Sequence, residues 1–352
     1  MAFLQTKNVK IAGISAAVPK NIERIIDLDV YESREEAEKF IASSHIEERR
    51  VSNDDKITSD YCLAAAEKLI ADLNWDKNDI DCLIFVSYTF DYILPSTACI
   101  LQDRLGLSKD CYTLDVRYGC TGWVYGVSVI SSLLQSGTMK KGLLLTGEVA
   151  TKVSGRYDKS TYPLFGDCGS CTAFEYTNDE TEICMHYGTD GSGYSAIIIP
   201  EGGLRVPFSV DSLKEEQLSP GIRRNKLQQD INGMDVFAFG ISRAPMAINA
   251  LTEHFKLNTE NIDYYLLHQA NFFMNQRILK RLKVSEDKAP CSIPKFGNNA
   301  SASIPLLMVT QISEQLETKK LKSLACGFGV GLSWGSLCFE TNKIIVPDLI
   351  EI

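Results

Sequence analysis

Apolar residues along this chain gather into two kinds of run. Short solid runs bounded by Asp, Gly or Asn, such as Cys82-Leu83-Ile84-Phe85-Val86 and Gly142 to Thr146, predict strands buried on both faces. Longer stretches, with apolar residues recurring every three or four positions, predict helices over Tyr61 to Leu73, Arg243 to Phe255 and Ser303 to Leu316. Strand and helix patterns alternate, which places the chain in the α/β class. Near the start, Lys7 and Lys10 precede the apolar run Ile11 to Pro19 and loosely imitate a signal peptide. Gly13 and Ser15 dilute that run and Lys20 ends it, so a short buried strand is the better reading.

The pattern also repeats. Asp79-Ile80-Asp81-Cys82-Leu83-Ile84-Phe85-Val86-Ser87 reads in parallel with Asn261-Ile262-Asp263-Tyr264-Tyr265-Leu266-Leu267-His268-Gln269, and Asp263 stands 182 residues after Asp81. A helical pattern precedes each copy, and a helix followed by a strand comes after each: Gly142 to Thr146 in one, Leu321 to Ala325 in the other. This register predicts a duplicated α/β unit, with halves 1–180 and 181–352 and a site between them. The acidic, Thr-rich stretch Thr177 to Glu182 reads as a surface connection.

Composition narrows the functions open to such a fold. The 352 residues carry a net charge of −9, which argues against nucleic acid or anionic membrane as a general partner. No run approaches the roughly 20 apolar residues needed to span a bilayer. Eleven cysteines without framework spacing read as free thiols of a reducing cytosol.

Three polar groups stand at the ends of apolar segments: Cys120 in Tyr118-Gly119-Cys120-Thr121-Gly122, His268 in Leu267-His268-Gln269-Ala270-Asn271, and Asn298 in Gly297-Asn298-Asn299. A thiol at a helix N-terminus meets unpaired N–H groups and the positive end of the dipole, so a lowered pKa is expected for Cys120. Taken singly, a core cysteine, a satisfied buried histidine and an ordinary Gly-Asn-Asn turn remain open readings. Together, a thiol, an imidazole and an amide suit covalent chemistry on a thioester.

These motifs, with Gly297 to Pro305, His45 to Arg50, Pro95 to Ala98, Phe165-Gly166-Asp167, Thr189 to Gly193 and Gly327 to Ser336, resemble the β-ketoacyl-acyl-carrier-protein synthase III family of thiolase-like condensing enzymes over the whole chain. The resemblance implies a layered αβαβα fold with two pseudo-symmetric mixed sheets. It implies a cytoplasmic homodimer that forms a 3-oxoacyl thioester by decarboxylative Claisen condensation, without metal or resident cofactor. Cys120 would carry the acyl group. His268 and Asn298 would stabilise the enolate formed from malonyl-acyl carrier protein. The backbone N–H groups of Cys120 and Val330 would form an oxyanion hole, and Asn271 and Phe237 would line the pantetheine channel. The implied partners are acyl carrier protein and an acyl-CoA or other acyl thioester. A specialised synthase of secondary-metabolite or surface-glycan biosynthesis is the alternative of the same class, and a catalytically silent partner subunit the alternative of another.

Other motifs change this little. Gly327 to Gly331 precedes another strand, not a helix, so it reads as a turn and not a nucleotide loop. Cys168-Gly169-Ser170-Cys171 lacks a second ligand pair and reads as packing. Phe328 occupies the position of a thiolase's second catalytic cysteine, with Cys326 on the preceding strand. Ser43 and Phe273 stand where relatives place basic residues for the coenzyme A head group, so the acyl donor is left open. Arg277, Lys280 and Arg281 share one face of a helix and suit docking of an acidic carrier protein.

Overall fold

The computed structural model describes residues 2–53 and 55–352. In chain order the main strands are β1 (Ala2–Lys7), β2 (Val9–Val18), β3 (Cys82–Val86), β4 (Tyr112–Val116), β5 (Lys141–Glu148), β6 (Cys168–Tyr176), β7 (Glu182–Thr189), β8 (Tyr264–Leu267), β9 (Lys320–Gly329), β10 (Ser333–Asn342) and β11 (Ile350–Glu351). They form a six-stranded sheet in the order β11-β2-β6-β5-β3-β4 and a five-stranded sheet in the order β1-β7-β10-β9-β8. Both sheets are mixed: β3 runs parallel to β4 and β5, while β6 runs antiparallel to β2 and β5. In the second sheet β8 is parallel to β9 and the remaining pairs are antiparallel.

Helices make the other three layers. Helix α1 (Thr58–Asp72) and α2 (Thr97–Leu105) cover the outer face of the first sheet, with Tyr61, Cys62, Ala65, Ala66, Leu69 and Ile70 turned inward. Between the sheets lie α3 (Gly122–Leu134) and α6 (Ser303–Gln311). Both are apolar around most of their circumference, as a helix sandwiched on two sides must be. The outer face of the second sheet carries α4 (Gly233–His254) and α5 (Phe272–Leu282). The αβαβα layering and two mixed sheets are those expected of the thiolase-like fold. Residues 177–181 connect β6 of the first sheet to β7 of the second. The terminal strands cross over: β1 pairs into the second sheet and β11 into the first.

Two predicted helices differ in extent. The one expected from Arg243 to Phe255 begins ten residues earlier, capped by the Asn232 side chain accepting from Asp235 N–H at 3.3 Å. Pro245, inside this helix, cannot donate to the carbonyl of Ile241. That carbonyl instead accepts from Arg281 Nη1 at 2.6 Å, so the helix passes through. The helix expected from Ser303 to Leu316 breaks at Ile312 and resumes as α7 (Ser313–Thr318). The break turns Leu316 onto β9 and β10.

Candidate active site

Residues at or just after the C-terminal ends of β3 and β4 in one sheet and of β8 and β9 in the other line a common cavity of about 880 Å³. Cys120, His268, Asn298, Val330, Asn271 and Phe237 all line it. Most other wall residues are apolar, among them Phe90, Leu164, Phe165, Leu227, Met274 and Phe328. Six positions from five separate chain segments thus share one concave apolar pocket, the usual setting of a binding site.

Cys120 lies in the turn between β4 and α3, two residues ahead of the first helical residue, Gly122. The helix starts hard against the second half, since a Cβ on Gly122 would fall 2.8 Å from Ser301 Cβ. The lowered pKa expected from the helix terminus is not found. Burial pushes the Cys120 thiol up to about 11. The backbone N–H groups of Val330 and of Cys120 itself pull it down, but desolvation outweighs them and the buried Glu148 carboxyl adds to the rise. At Gly329, with φ +153°, an added Cβ would sit 2.7 Å from Cys120 Sγ.

His268 follows β8 and is fully buried. Its Nδ1 is 2.6 Å from Ser303 Oγ at the start of α6, and its ring meets Phe328 edge-on at 5.6 Å. Among the described residues Nε2 has no partner. Burial pushes this imidazole down to about 3, so it is neutral at physiological pH. Asn275 Nδ2 donates to the His268 carbonyl, and Gln269 Oε1 accepts from Ser292 N–H, which fixes the turn that presents the ring. Asn298 is nearly buried, and its Oδ1 accepts from Ala300 N–H at 2.9 Å. The carbonyl end of that amide is therefore occupied, and among the described residues the Nδ2 donor makes no hydrogen bond. Asn271 caps α5 by accepting from Met274 N–H, and Phe237 stacks on Phe273 at 5.9 Å.

The remaining expectations sort by location. Arg277, Lys280 and Arg281 are exposed on α5 outside the cavity. Arg281 also holds the Ile241 carbonyl, and the Arg277 guanidinium lies 4.7 Å over the Phe273 ring. Cys168, Cys171 and Cys326 are buried within strands and Phe328 faces the cavity, while all eleven cysteines are unpaired. Among the described residues no group of three or more His, Cys, Asp or Glu is placed to hold a metal, and no helix is long and apolar enough to cross a membrane.

Sequence reasoning missed three polar residues around the site: Ser303, Ser301 and Glu148. For Glu148 there was a signal, since a carboxylate ends the apolar run Leu143 to Gly147 as the thiol and imidazole end theirs. The two serines stood within the Gly297 to Pro305 motif, Ser303 at the start of a predicted helix, with no role of their own assigned.

The chain is similar to known proteins over most of its length. Family profiles described as 3-oxoacyl-[acyl-carrier-protein] synthase III and its C-terminal portion match residues 114–191 and 252–341. The chain is 30% identical to a β-ketoacyl-[acyl-carrier-protein] synthase III of Clostridium perfringens, over 94% of this chain and 98% of the relative. It is 33% identical to one of Clostridioides difficile, over 83% and 86%. A solved 3-oxoacyl-(acyl-carrier protein) synthase from Burkholderia xenovorans superposes with a TM-score of 0.93 at 31% identity, covering 100% of this chain and 99% of that one.

Proposed function

The chain belongs to the 3-oxoacyl-[acyl-carrier-protein] synthase III family of condensing acyltransferases, and from that premise we propose that it joins a Cys120-bound acyl group to malonyl-acyl carrier protein with loss of carbon dioxide. The observation that carries this reading is the convergence of Cys120, His268 and Asn298 on one apolar cavity, with Nε2 of the histidine unpartnered among the described residues.

The proposed sequence has two stages. The Cys120 sulfur attacks the carbonyl of an acyl thioester, the carbon–sulfur bond to the donor breaks, and the donor thiol leaves with the proton. Malonyl-acyl carrier protein then enters past Asn271 and Phe237. Its carboxylate carbon–carbon bond breaks, carbon dioxide leaves, and the electron pair forms an enolate. The enolate oxygen accepts hydrogen bonds from His268 Nε2–H and Asn298 Nδ2–H, two neutral donors held in place beforehand. Ser303 Oγ–H donating to Nδ1 leaves the proton on Nε2, the tautomer this role requires. The enolate carbon attacks the acyl-cysteine carbonyl, and the N–H groups of Cys120 and Val330 receive the oxyanion. Collapse breaks the carbon–sulfur bond to Cys120 and releases the 3-oxoacyl thioester.

We read the protein as a cytoplasmic homodimer, each protomer built from halves 1–180 and 181–352. The unpaired edge of β4, with exposed Tyr92, Ile93 and Leu94 in the neighbouring loop, supports self-association. Without basic residues at Ser43 and Phe273, the acyl donor need not be a coenzyme A ester, and a carrier-bound acyl group fits as well. The test is intact-protein mass spectrometry with acyl-CoA and acyl-carrier-protein panels. Wild type should gain one acyl mass, and Cys120→Ser should gain none, because an alcohol is a far weaker nucleophile than a thiol. An adduct forming on the serine variant at the wild-type rate would reject the assignment.

A further inference from the structure

One buried carboxylate takes no part in this chemistry. Glu148 ends β5 beneath the cavity, is fully inaccessible to solvent and contacts no cation among the described residues. Its Oε2 accepts from Ser87 Oγ at 2.8 Å, Thr89 Oγ1 at 2.8 Å, Thr89 N–H at 3.2 Å and Tyr88 N–H at 3.3 Å. Its Oε1 accepts from Ser301 Oγ at 3.0 Å and also faces Tyr88 N–H at 3.3 Å. Burial pushes the carboxyl up to about 8, against this ring of donors. A group so costly to bury needs a structural or functional return.

What the two oxygens hold suggests the return. Tyr88 belongs to the loop after β3, and its ring lies against Gly119, where a Cβ would be 3.1 Å from Tyr88 Cδ1. Ser301 belongs to the second half of the chain and lies against Gly122 on the other side of the nucleophile turn. Ser301 directly follows Ala300, whose N–H fixes the Asn298 carbonyl. One carboxyl group therefore holds both flanks of the Cys120 turn and, through Ser301, the turn that presents Asn298.

We propose that Glu148 is a positioning residue that sets the separation between Cys120 on the first half and Asn298 on the second by tying the Ser87–Thr89 loop and Ser301 to the end of β5. The inference rests on the condensing reading given above. Each half-reaction uses chiefly one side of the site, whereas carbon–carbon bond formation needs both sides in register. Loss of the tie should therefore damage condensation more than either half-reaction. A misplacement of about 1 Å can cost on the order of 10² in rate.

The experiment compares wild type, Glu148→Gln, Ser301→Ala and the double variant. It measures Cys120 acylation by intact mass, malonyl-acyl carrier protein decarboxylation without an acyl donor, full condensation, and melting temperature. For Glu148→Gln, condensation kcat should fall roughly 10²-fold, with KM unchanged and each half-reaction within about tenfold of wild type. Ser301→Ala should give the same signature more weakly, and the double variant should be no worse than Glu148→Gln, because both changes cut one connection. If Glu148→Gln does not fold, Ser301→Ala carries the test, since it leaves the carboxyl with all its partners in the first half. Equal losses in all three reactions, additive effects, or a lowered melting temperature with wild-type condensation would each overturn the proposal. Absence of condensation in wild type itself would instead overturn the function from which it starts.

Discussion

Gly329→Ala tests the geometry around the nucleophile directly. The added methyl would lie 2.6 Å from Cys120 Cβ and 2.7 Å from its sulfur. Carbon atoms pack at about 3.5–4.0 Å, so relief requires a displacement of about 1 Å, either of Cys120 or of the β9–β10 turn that carries Val330. Moving either alters the path of acyl transfer, and Cys120 acylation should fall on the order of 10²-fold. Alanine is also strained at φ +153°, at a cost of about 1–3 kcal/mol. Strain alone would lower stability without touching the chemistry, so a control is needed. Gly106 closes α2 at φ +66°, and a Cβ added there would meet nothing within 4 Å. Gly106→Ala should lower the melting temperature while leaving acylation unchanged. The assay is the rate of acyl-adduct formation by intact mass, with thermal denaturation of both variants. Wild-type acylation in Gly329→Ala, or equal loss in both variants, would refute the claim that close backbone approach at Gly329 shapes the nucleophile's surroundings.

Two other predictions follow from charge. Because burial holds the Cys120 thiol up to about 11, it is protonated at neutral pH, with a thiolate fraction near ~10⁻⁴ at pH 7 by the ordinary titration relation. Its alkylation by iodoacetamide, mapped by peptide mass to separate it from exposed Cys99, should rise about tenfold per unit from pH 7 to 9; a plateau below pH 8 would show a lowered pKa instead. Reversing Arg277 and Lys280 to Glu on α5 should raise KM for malonyl-acyl carrier protein at low salt, less so at high salt, and leave Cys120 acylation by a small thioester unchanged; an unaltered KM at low ionic strength would dismiss this surface. Arg281 is unsuitable for that test, because its removal would also strand the Ile241 carbonyl left free by Pro245.

The layers were legible because their signals are local. The solid run Cys82 to Val86 is short and rich in β-favouring residues, as a strand covered on both faces is, and the spacing of Tyr61, Ala65 and Leu69 gives a one-sided helix. The three candidate groups could be picked out for a related reason: each ends an apolar segment, and although each alone has an ordinary structural reading, the three motifs together made the resemblance specific, and all three line one cavity. What escaped notice depends on contacts distant in sequence. Nothing near Pro245 announces that Arg281 will donate to the carbonyl it frees. Nothing near Glu148 announces Ser301, 153 residues away, as its partner. The expected fall in the Cys120 pKa failed for the same reason: the helix terminus is visible in sequence, but the burial that outweighs it comes from the second half folding over the turn.

That reversal bears on which chemistry the site suits. A cysteine hydrolase relies on a thiolate beside an imidazolium, with charge present before substrate arrives. Here burial works against both charges, raising the thiol and lowering the imidazole until each is neutral in the free protein. A neutral His268 is a poor source of positive charge for a thiolate, but in the proposed tautomer, with Ser303 Oγ–H donating to Nδ1, it is a good hydrogen-bond donor through Nε2. Under the proposed roles, each polar group of the triad turned toward the cavity serves an oxyanion that exists only during reaction: Nε2 of His268 and Nδ2 of Asn298 for the enolate, and two backbone N–H groups for the tetrahedral intermediate. Neutral, prearranged donors in an apolar cavity stabilise such transient charge more than any resting state. Under the same proposal, His268 and Asn298 would meet a malonyl group with neutral donors, while the one cation of the lining, Arg117, is no part of the triad. Under the proposed roles, the raised thiol pKa accompanies an apolar cavity suited to the carbon–carbon bond-forming stage.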